Sequence, residues 1–174
     1  LTVYNASPFM EKNVLEALCV MGFYEEAKMR MLDRYAAMIS SSDTTLWELW
    51  LRDEGSINHG WSGGPLIIMS KYFAGIKSTT SGYETYEIKP QNILSSITAT
   101  KDTSRGTISF DLVKNNGLTT ITIQTIDASG TLKIPASFGS NISVDGGDYI
   151  DLGWVDGEYQ IVFNQAHQYT VTIA

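Results

Sequence analysis

The sequence predicts an α+β protein in two parts, a helical segment followed by an antiparallel β-sandwich. Three observations carry that prediction. All six methionines lie before residue 70, while fourteen of the seventeen threonines lie after residue 78; methionine suits helices and branched threonine suits strands. Apolar residues in the first part recur at helical spacing, and those in the second alternate with polar ones, the period of a half-buried strand. The change falls near "GIKSTTSGY", residues 75–83, which divides the chain into 1–77 and 78–174.

The helical part reads as three segments. Ser7-Pro8 has the form of an N-cap followed by proline in the first turn, and Gly22 stops the helix after Val14, Leu15, Leu18 and Met21. A second helix is expected over 24–40, with Tyr24, Ala27, Met31, Tyr35 and Met38 facing inward and Glu25, Lys28, Asp33 and Arg34 turned away. The third, from residue 62 into "PLIIMSKYFAGI", is apolar nearly all round and should be buried on most sides. Three helices cannot supply that burial alone.

The β part alternates. Ile108, Phe110 and Leu112 interleave with Thr107, Ser109 and Asp111, and Tyr169, Val171 and Ile173 interleave with Thr170 and Thr172. "TLKIP" and "YQIVF" are further strands, and "KNNG", "DASG" and "DGGD" supply turns between such runs.

Composition excludes several functions. The chain is 43% apolar and 11% aromatic, as a folded globular protein requires. It has no run of eighteen apolar residues, so no membrane span is expected. Net charge is −7, and the twelve basic residues form no patch, which argues against a nucleic-acid partner. Cys19 is the one cysteine and is read as a small buried hydrophobe. The chain starts at Leu1 with neither methionine nor a signal-peptide pattern, and is read as a piece of something longer.

One span concentrates chemistry. "TTLWELWLRDEGSINHGWSGGP", residues 44–65, holds Trp47, Trp50 and Trp61 around Glu48 and His59. On a helical turn Trp47 and Trp50 would flank one face beside Glu48. Indole faces suit the C–H faces of sugars, and a carboxylate between them can accept hydroxyl hydrogen bonds or take a proton from water. His59 adds a donor or acceptor active near neutral pH. The plain alternative is a core Trp47, a Glu48–Arg52 pair at i, i+4 on a solvated helix face, and a structural His59. Asp53 and Glu54 are assigned to a solvated loop, and Glu11, Glu16, Glu25 and Glu26 to helix faces. The residues alone support no more than a carbohydrate site.

Four blocks add a resemblance. "ASPFMEKNVLEALCVMGFYEEAKMRMLDRYAAMI", "TTLWELW", "NHGWSGGPLIIMSKYFAGI" and "GYETYEIKP" cover residues 6–90. In that order they resemble the C-terminal portion of bacterial α-L-rhamnosidases; the later strands, "RGTISFDL" among them, fit less specifically. The resemblance implies the last helices of an (α/α)6-barrel catalytic domain over 1–77 and a C-terminal β-sandwich over 78–174. It implies an enzyme that hydrolyses terminal α-L-rhamnosyl bonds with inversion, using two carboxylic acids and no cofactor. Glu48 matches the glutamate of the T-T-x-W-E motif and would be the general base. His59, of N-H-x-W-S-G-G-P, would contact rhamnose; Trp61 would shape the pocket wall, and Trp47 would either join it or point into the barrel. The partner would be a rhamnose-containing glycoside or polysaccharide.

The family's general acid lies upstream of these helices, so the piece alone is expected to be inactive. Its unpartnered barrel faces should pack on the sandwich, self-associate, or mark a cut from a longer polypeptide. Localisation is not legible; polysaccharide-degrading relatives favour a periplasmic or secreted parent over a cytoplasmic one. The alternatives are a non-catalytic carbohydrate-binding module, a structural β-sandwich, or another (α/α)6-barrel glycosidase or phosphorylase. Trp154 is read as a core residue, with a glycan platform of Trp154 and Tyr159 as the alternative. No metal site is expected: His59 and His167 are 108 positions apart, and "DGGD" reads as a turn rather than a calcium loop.

Overall fold

The computed structural model describes residues 6–174. They divide into two compact units, one running up to Met69 and one from Ser70 to Ala174.

In the first unit, α1 spans Pro8–Val20. The Ser7 side chain caps it by accepting a hydrogen bond from the Met10 N–H, and proline occupies the first turn. Leu15 and Cys19 are buried, so Cys19 packs as the small hydrophobe the sequence suggested. The single helix expected over 24–40 is two: α2, Tyr24–Arg34, and α3, Ala36–Ser40. Tyr35 breaks it at φ −95° and ψ 0°, and its ring enters a small core with Met38 and Trp47. The backbone bonds Tyr35 N–H to Met31 O and Ile39 N–H to Tyr35 O survive, so the break costs little against burial of an aromatic ring.

Two charged residues are corrected. Arg34, expected on the outward face, is buried: its Nη2 donates to the Ala6 carbonyl (2.8 Å), and its guanidinium lies 4.2 Å from the Trp50 ring centroid. Glu11, assigned to a helix face, has no exposed surface at all. Arg30 binds both its carboxylate oxygens, and Arg34 Nε stands 3.8 Å from Oε2. Two arginines on α2 thus face one glutamate on α1, which is how a buried carboxylate is tolerated.

After a non-helical stretch over 41–59 come a 3₁₀ turn, Gly60–Ser62, helix α4, Gly64–Ile68, and a π-helical turn, Met69–Phe73. The apolar third segment is less covered than expected. Ile68 is fully buried, but Leu66 is 66% and Ile67 44% exposed, because α1 covers only one side of α4.

The second unit holds ten strands: β1 Ile76–Ser78, β2 Thr85–Ile88, β3 Ser96–Thr103, β4 Gly106–Asn115, β5 Leu118–Gln124, β6 Ser129–Pro135, β7 Ile142–Gly146, β8 Ile150–Val155, β9 Glu158–Phe163 and β10 Gln168–Ile173. They form two five-stranded sheets, ordered β1-β2-β6-β9-β8 and β3-β4-β5-β10-β7. Alternation fixes the inward faces. Ile108, Phe110 and Leu112 of β4 and Tyr169, Val171 and Ile173 of β10 share one core with Tyr86 and Ile88 of β2 and Ile161 and Phe163 of β9. Asn116 and Gly117, both at positive φ (49° and 80°), make the two-residue turn of the β4–β5 hairpin, the geometry that an Asn-Gly pair selects.

The sequence reading expected antiparallel sheets throughout, and one pairing departs from it. β2 pairs β6 in parallel, with Tyr86 opposite Gly130. A Cβ on Gly130 would come within 2.3 Å of the Tyr86 ring, so glycine here admits the buried aromatic.

Candidate functional site

Trp47, Glu48 and Trp50 lie on a non-helical loop, which corrects the helical turn expected from their spacing. The loop closes on itself. Glu48 N–H donates to the Ser56 carbonyl (2.8 Å), His59 N–H donates to the Leu46 carbonyl (2.9 Å), and the Thr45 hydroxyl donates to the Ile57 carbonyl. These bonds bring Glu48 and His59, eleven positions apart, onto neighbouring stretches of backbone.

Trp47 anchors the loop from inside. It is 6% exposed and packs with Tyr35 and Met38; its indole N–H donates to Asp43 Oδ2 (2.8 Å). The buried Ser62 hydroxyl donates to the Trp47 carbonyl (2.6 Å), tying the loop to the turn that carries Trp61. Trp47 is therefore brought to the core and not to the surface where the other residues meet. Trp50 is a second anchor, with its N–H on the Ala6 carbonyl (2.8 Å) and its ring edge-on to Tyr35.

Glu48 and His59 do meet. Glu48 Oε2 lies 3.5 Å from His59 Nδ1, with about a third of each side chain exposed. The expected alternative, a Glu48–Arg52 pair, does not form: Arg52 instead binds both oxygens of Asp43 (2.8 and 3.0 Å). Asp53 is 94% exposed, in line with a solvated loop. The Ser56 N–H donates to Glu48 Oε2 (3.1 Å), and the Ser56 hydroxyl lies 2.8 Å from His59 Nδ1. The Ser56 backbone N–H, then the Ser56 side chain, with His59 beside them, hold the Glu48 carboxyl below its ordinary value. It is an ionised carboxylate at neutral pH, with one oxygen engaged and water access to the rest. Gly55 leaves it room, since a Cβ there would stand 3.1 Å from Glu48 Cβ and 3.2 Å from Oε2.

Trp61 stacks obliquely on His59, with ring centroids 4.0 Å apart at 37°, and meets Phe9 at 5.2 Å. Trp61 and Phe9 are 44% and 50% exposed, so one apolar ledge borders the carboxylate–imidazole pair. Sequence reasoning missed Ser56 and Phe9. Neither carries a local signal: Ser56 sits in a polar loop and Phe9 in the first turn of a helix. Backbone pairing across the loop is what recruits Ser56.

In the second unit Trp154, read as core, is 45% exposed. It meets Tyr159 edge-on at 5.7 Å, and the Tyr159 hydroxyl donates to Asp151 Oδ2 (2.6 Å), a bond that pushes the Tyr159 pKa up to about 12. Hollows of about 300 Å³, lined by residues such as Thr98, Asp111, Thr122 and Gln124, and about 190 Å³, lined by Asp148, Tyr149, Ile150, Asn164 and Gln165, also occur in this unit. None of Trp47, Glu48, His59 and Trp61 lines either. Among the described residues, no three of His, Cys, Asp and Glu gather as a metal-ligand set, and no helix is long and apolar enough to cross a membrane.

No family model and no curated protein sequence matches the chain. Solved structures do share its fold. An α-L-rhamnosidase from Streptomyces avermitilis, complexed with L-rhamnose, superposes at a TM-score of 0.75 and 21% identity over 94% of this chain and 17% of its own. One from "Dictyoglumus thermophilum" gives 0.74 and 18% over 94% and 20%. A GH78 family rhamnosidase from Bacillus sp. GL1 gives 0.56 and 23% over 64% and 13%. The chain spans at most a fifth of these proteins' length, and it has the fold of that part of an α-L-rhamnosidase.

Proposed function

We propose that this chain is the C-terminal portion of an α-L-rhamnosidase in which Glu48 is the general base. Residues 1–77 supply the last helices of an (α/α)6 barrel and residues 78–174 a β-sandwich that stabilises it. The observation that carries the reading is the ionised, partly exposed Glu48 carboxylate set against His59 beside the Trp61 ledge. A base must be deprotonated at working pH, and burial does not protonate this one. It accepts a proton from water as that water attacks the anomeric carbon. The glycosidic oxygen leaves with a proton from a carboxylic acid roughly 6.5–9.5 Å away, across the gap an inverting enzyme reserves for the water. Trp61 offers a face for the C–H side of a deoxysugar, and His59 a polar contact to one of its hydroxyls. The acid belongs to the upstream sequence, so the 174 residues alone turn over nothing.

The test uses the longer polypeptide and an aryl α-L-rhamnoside. Glu48→Gln lowers kcat by several orders of magnitude with sugar binding largely kept, and azide restores turnover to Glu48→Ala with the β-configured azide as product. Near-normal turnover in Glu48→Gln removes the base role.

A second reading, a carbohydrate-binding role for the β-sandwich, is favoured by the exposed Trp154 held edge-on by Tyr159. Rhamnose-containing glycans that quench the tryptophan fluorescence of the 174-residue chain, but not of its Trp154→Ala variant, would support it; no quenching in either would end it.

A further inference from the structure

We propose that Ser56 is a positioning residue that fixes His59 as the neutral imidazole carrying its proton on Nδ1, leaving Nε2 to accept a hydrogen bond from a sugar hydroxyl. The inference deepens the reading of Glu48 and His59 as one site and rests on it.

The surroundings of Nδ1 make the argument. Three polar groups meet in the loop: the Glu48 carboxylate, the Ser56 hydroxyl and His59 Nδ1. An ionised carboxylate only accepts, and a hydroxyl has a single proton to give. Glu48 Oε2 lies 3.5 Å from the same Nδ1, so a proton held on that nitrogen faces an anion. With the proton on the ring, Nδ1–H donates across the 2.8 Å contact to the Ser56 hydroxyl oxygen. The other tautomer would also aim the Nδ1 lone pair towards Glu48 Oε2 at 3.5 Å, lone pair against anion. The nearby anion and the Ser56 oxygen placed to accept agree on Nδ1–H.

Two consequences reach the reacting atoms. Oε2 is held by the Ser56 N–H and faces His59, so Oε1 is the oxygen left for the hydrolytic water. Nε2, with its lone pair, selects a sugar hydroxyl that donates. Trp61 stacks on the same ring and limits its rotation.

The first test needs no turnover. Long-range ¹H–¹⁵N spectra of the 174-residue chain, recorded at alkaline pH, should show the His59 imidazole protonated on Nδ1. Ser56→Ala should convert it to a tautomer mixture or to Nε2–H, and Ser56→Thr, which keeps the hydroxyl at this exposed position, should restore it. An Nε2–H pattern in the wild type, or an Nδ1–H pattern unmoved by Ser56→Ala, overturns the inference. The second test uses the longer polypeptide. Ser56→Ala should raise KM about tenfold through loss of the oriented hydrogen bond between Nε2 and the sugar, with a smaller change in kcat, and Ser56→Thr should recover it. If Glu48→Gln stays active, the general-base reading fails; if it is dead while Ser56→Ala matches wild type in spectra and KM, only the Ser56 role fails.

Discussion

Gly130→Ala should destabilise the second unit by about 3 kcal/mol, and the magnitude follows from one contact. Gly130 on β6 lies opposite Tyr86 on β2, and an added Cβ would meet Tyr86 Cζ, Oη and Cε2 at 2.3, 2.5 and 2.6 Å. Non-bonded carbons settle at about 3.5 Å or more, so the ring has to retreat by roughly 1.2 Å. It is 1% exposed and enclosed by the shared core, with nowhere open to go. Overpacking of this kind costs about 1–3 kcal/mol, and pushing the ring off its rotamer adds about 0.5–1.5 kcal/mol. At about 4–8 °C per kcal/mol for a unit of this size, the midpoint should fall by roughly 12–24 °C. Thermal unfolding followed by near-UV circular dichroism reads it. The Tyr86→Leu background supplies the control: there the smaller side chain vacates the contact, and Gly130→Ala should cost less than about 1 kcal/mol, a coupling a double-mutant cycle resolves. A wild-type cost below about 1 kcal/mol, or an equal cost in both backgrounds, refutes the close-approach argument.

Four further outcomes are expected. Glu11→Gln breaks a buried ion pair facing two arginines and should destabilise the first unit by about 3–5 kcal/mol, read from tryptophan fluorescence in urea. Gly55→Ala should press on the Glu48 carboxylate and lower kcat of the longer polypeptide by roughly ten- to a hundred-fold with an unchanged circular-dichroism spectrum. The folded pKa of Glu48 is depressed, so its ionised form and the stability tied to it are present above 4.5 and lost as pH falls through the lower folded value; the acid limb of kcat/KM should lie below 4.5, and Ser56→Ala should move it upward. The 174-residue chain should scatter light as a species larger than 19.2 kDa, since Val20, Ile39 and Leu66 are each well over half exposed; a monodisperse monomer that binds no apolar dye contradicts this.

Strands were legible where burial imposes a period of two. β4 and β10 were readable because each sends every second side chain into one core, and "KNNG" because its turn needs two residues at positive φ. β8 was not readable: it is an edge strand, exposed along most of its length, and no alternation marks it. The parallel pairing of β2 with β6 leaves no local trace, being set by a contact across more than forty residues. In the candidate site, residue types pointed to Glu48, His59 and Trp61, whereas spacing misled. Trp47 and Trp50 three apart suggested a helical face, yet both serve as anchors of a loop. Arg34 looked solvated because charge usually is, and Glu11 on another helix reversed that.

The middle strand of one sheet is the last piece its first two strands acquire. β1 and β2 can zip together as soon as they exist, but the partner for β2's other edge arrives only after β3, β4 and β5 have been made. Until β6 threads alongside, a two-stranded ribbon waits with a bare flank, and ribbons that small hold poorly in water. Nascent chains stalled before residue 129 should therefore be far easier prey for proteases in this region than chains released beyond residue 163.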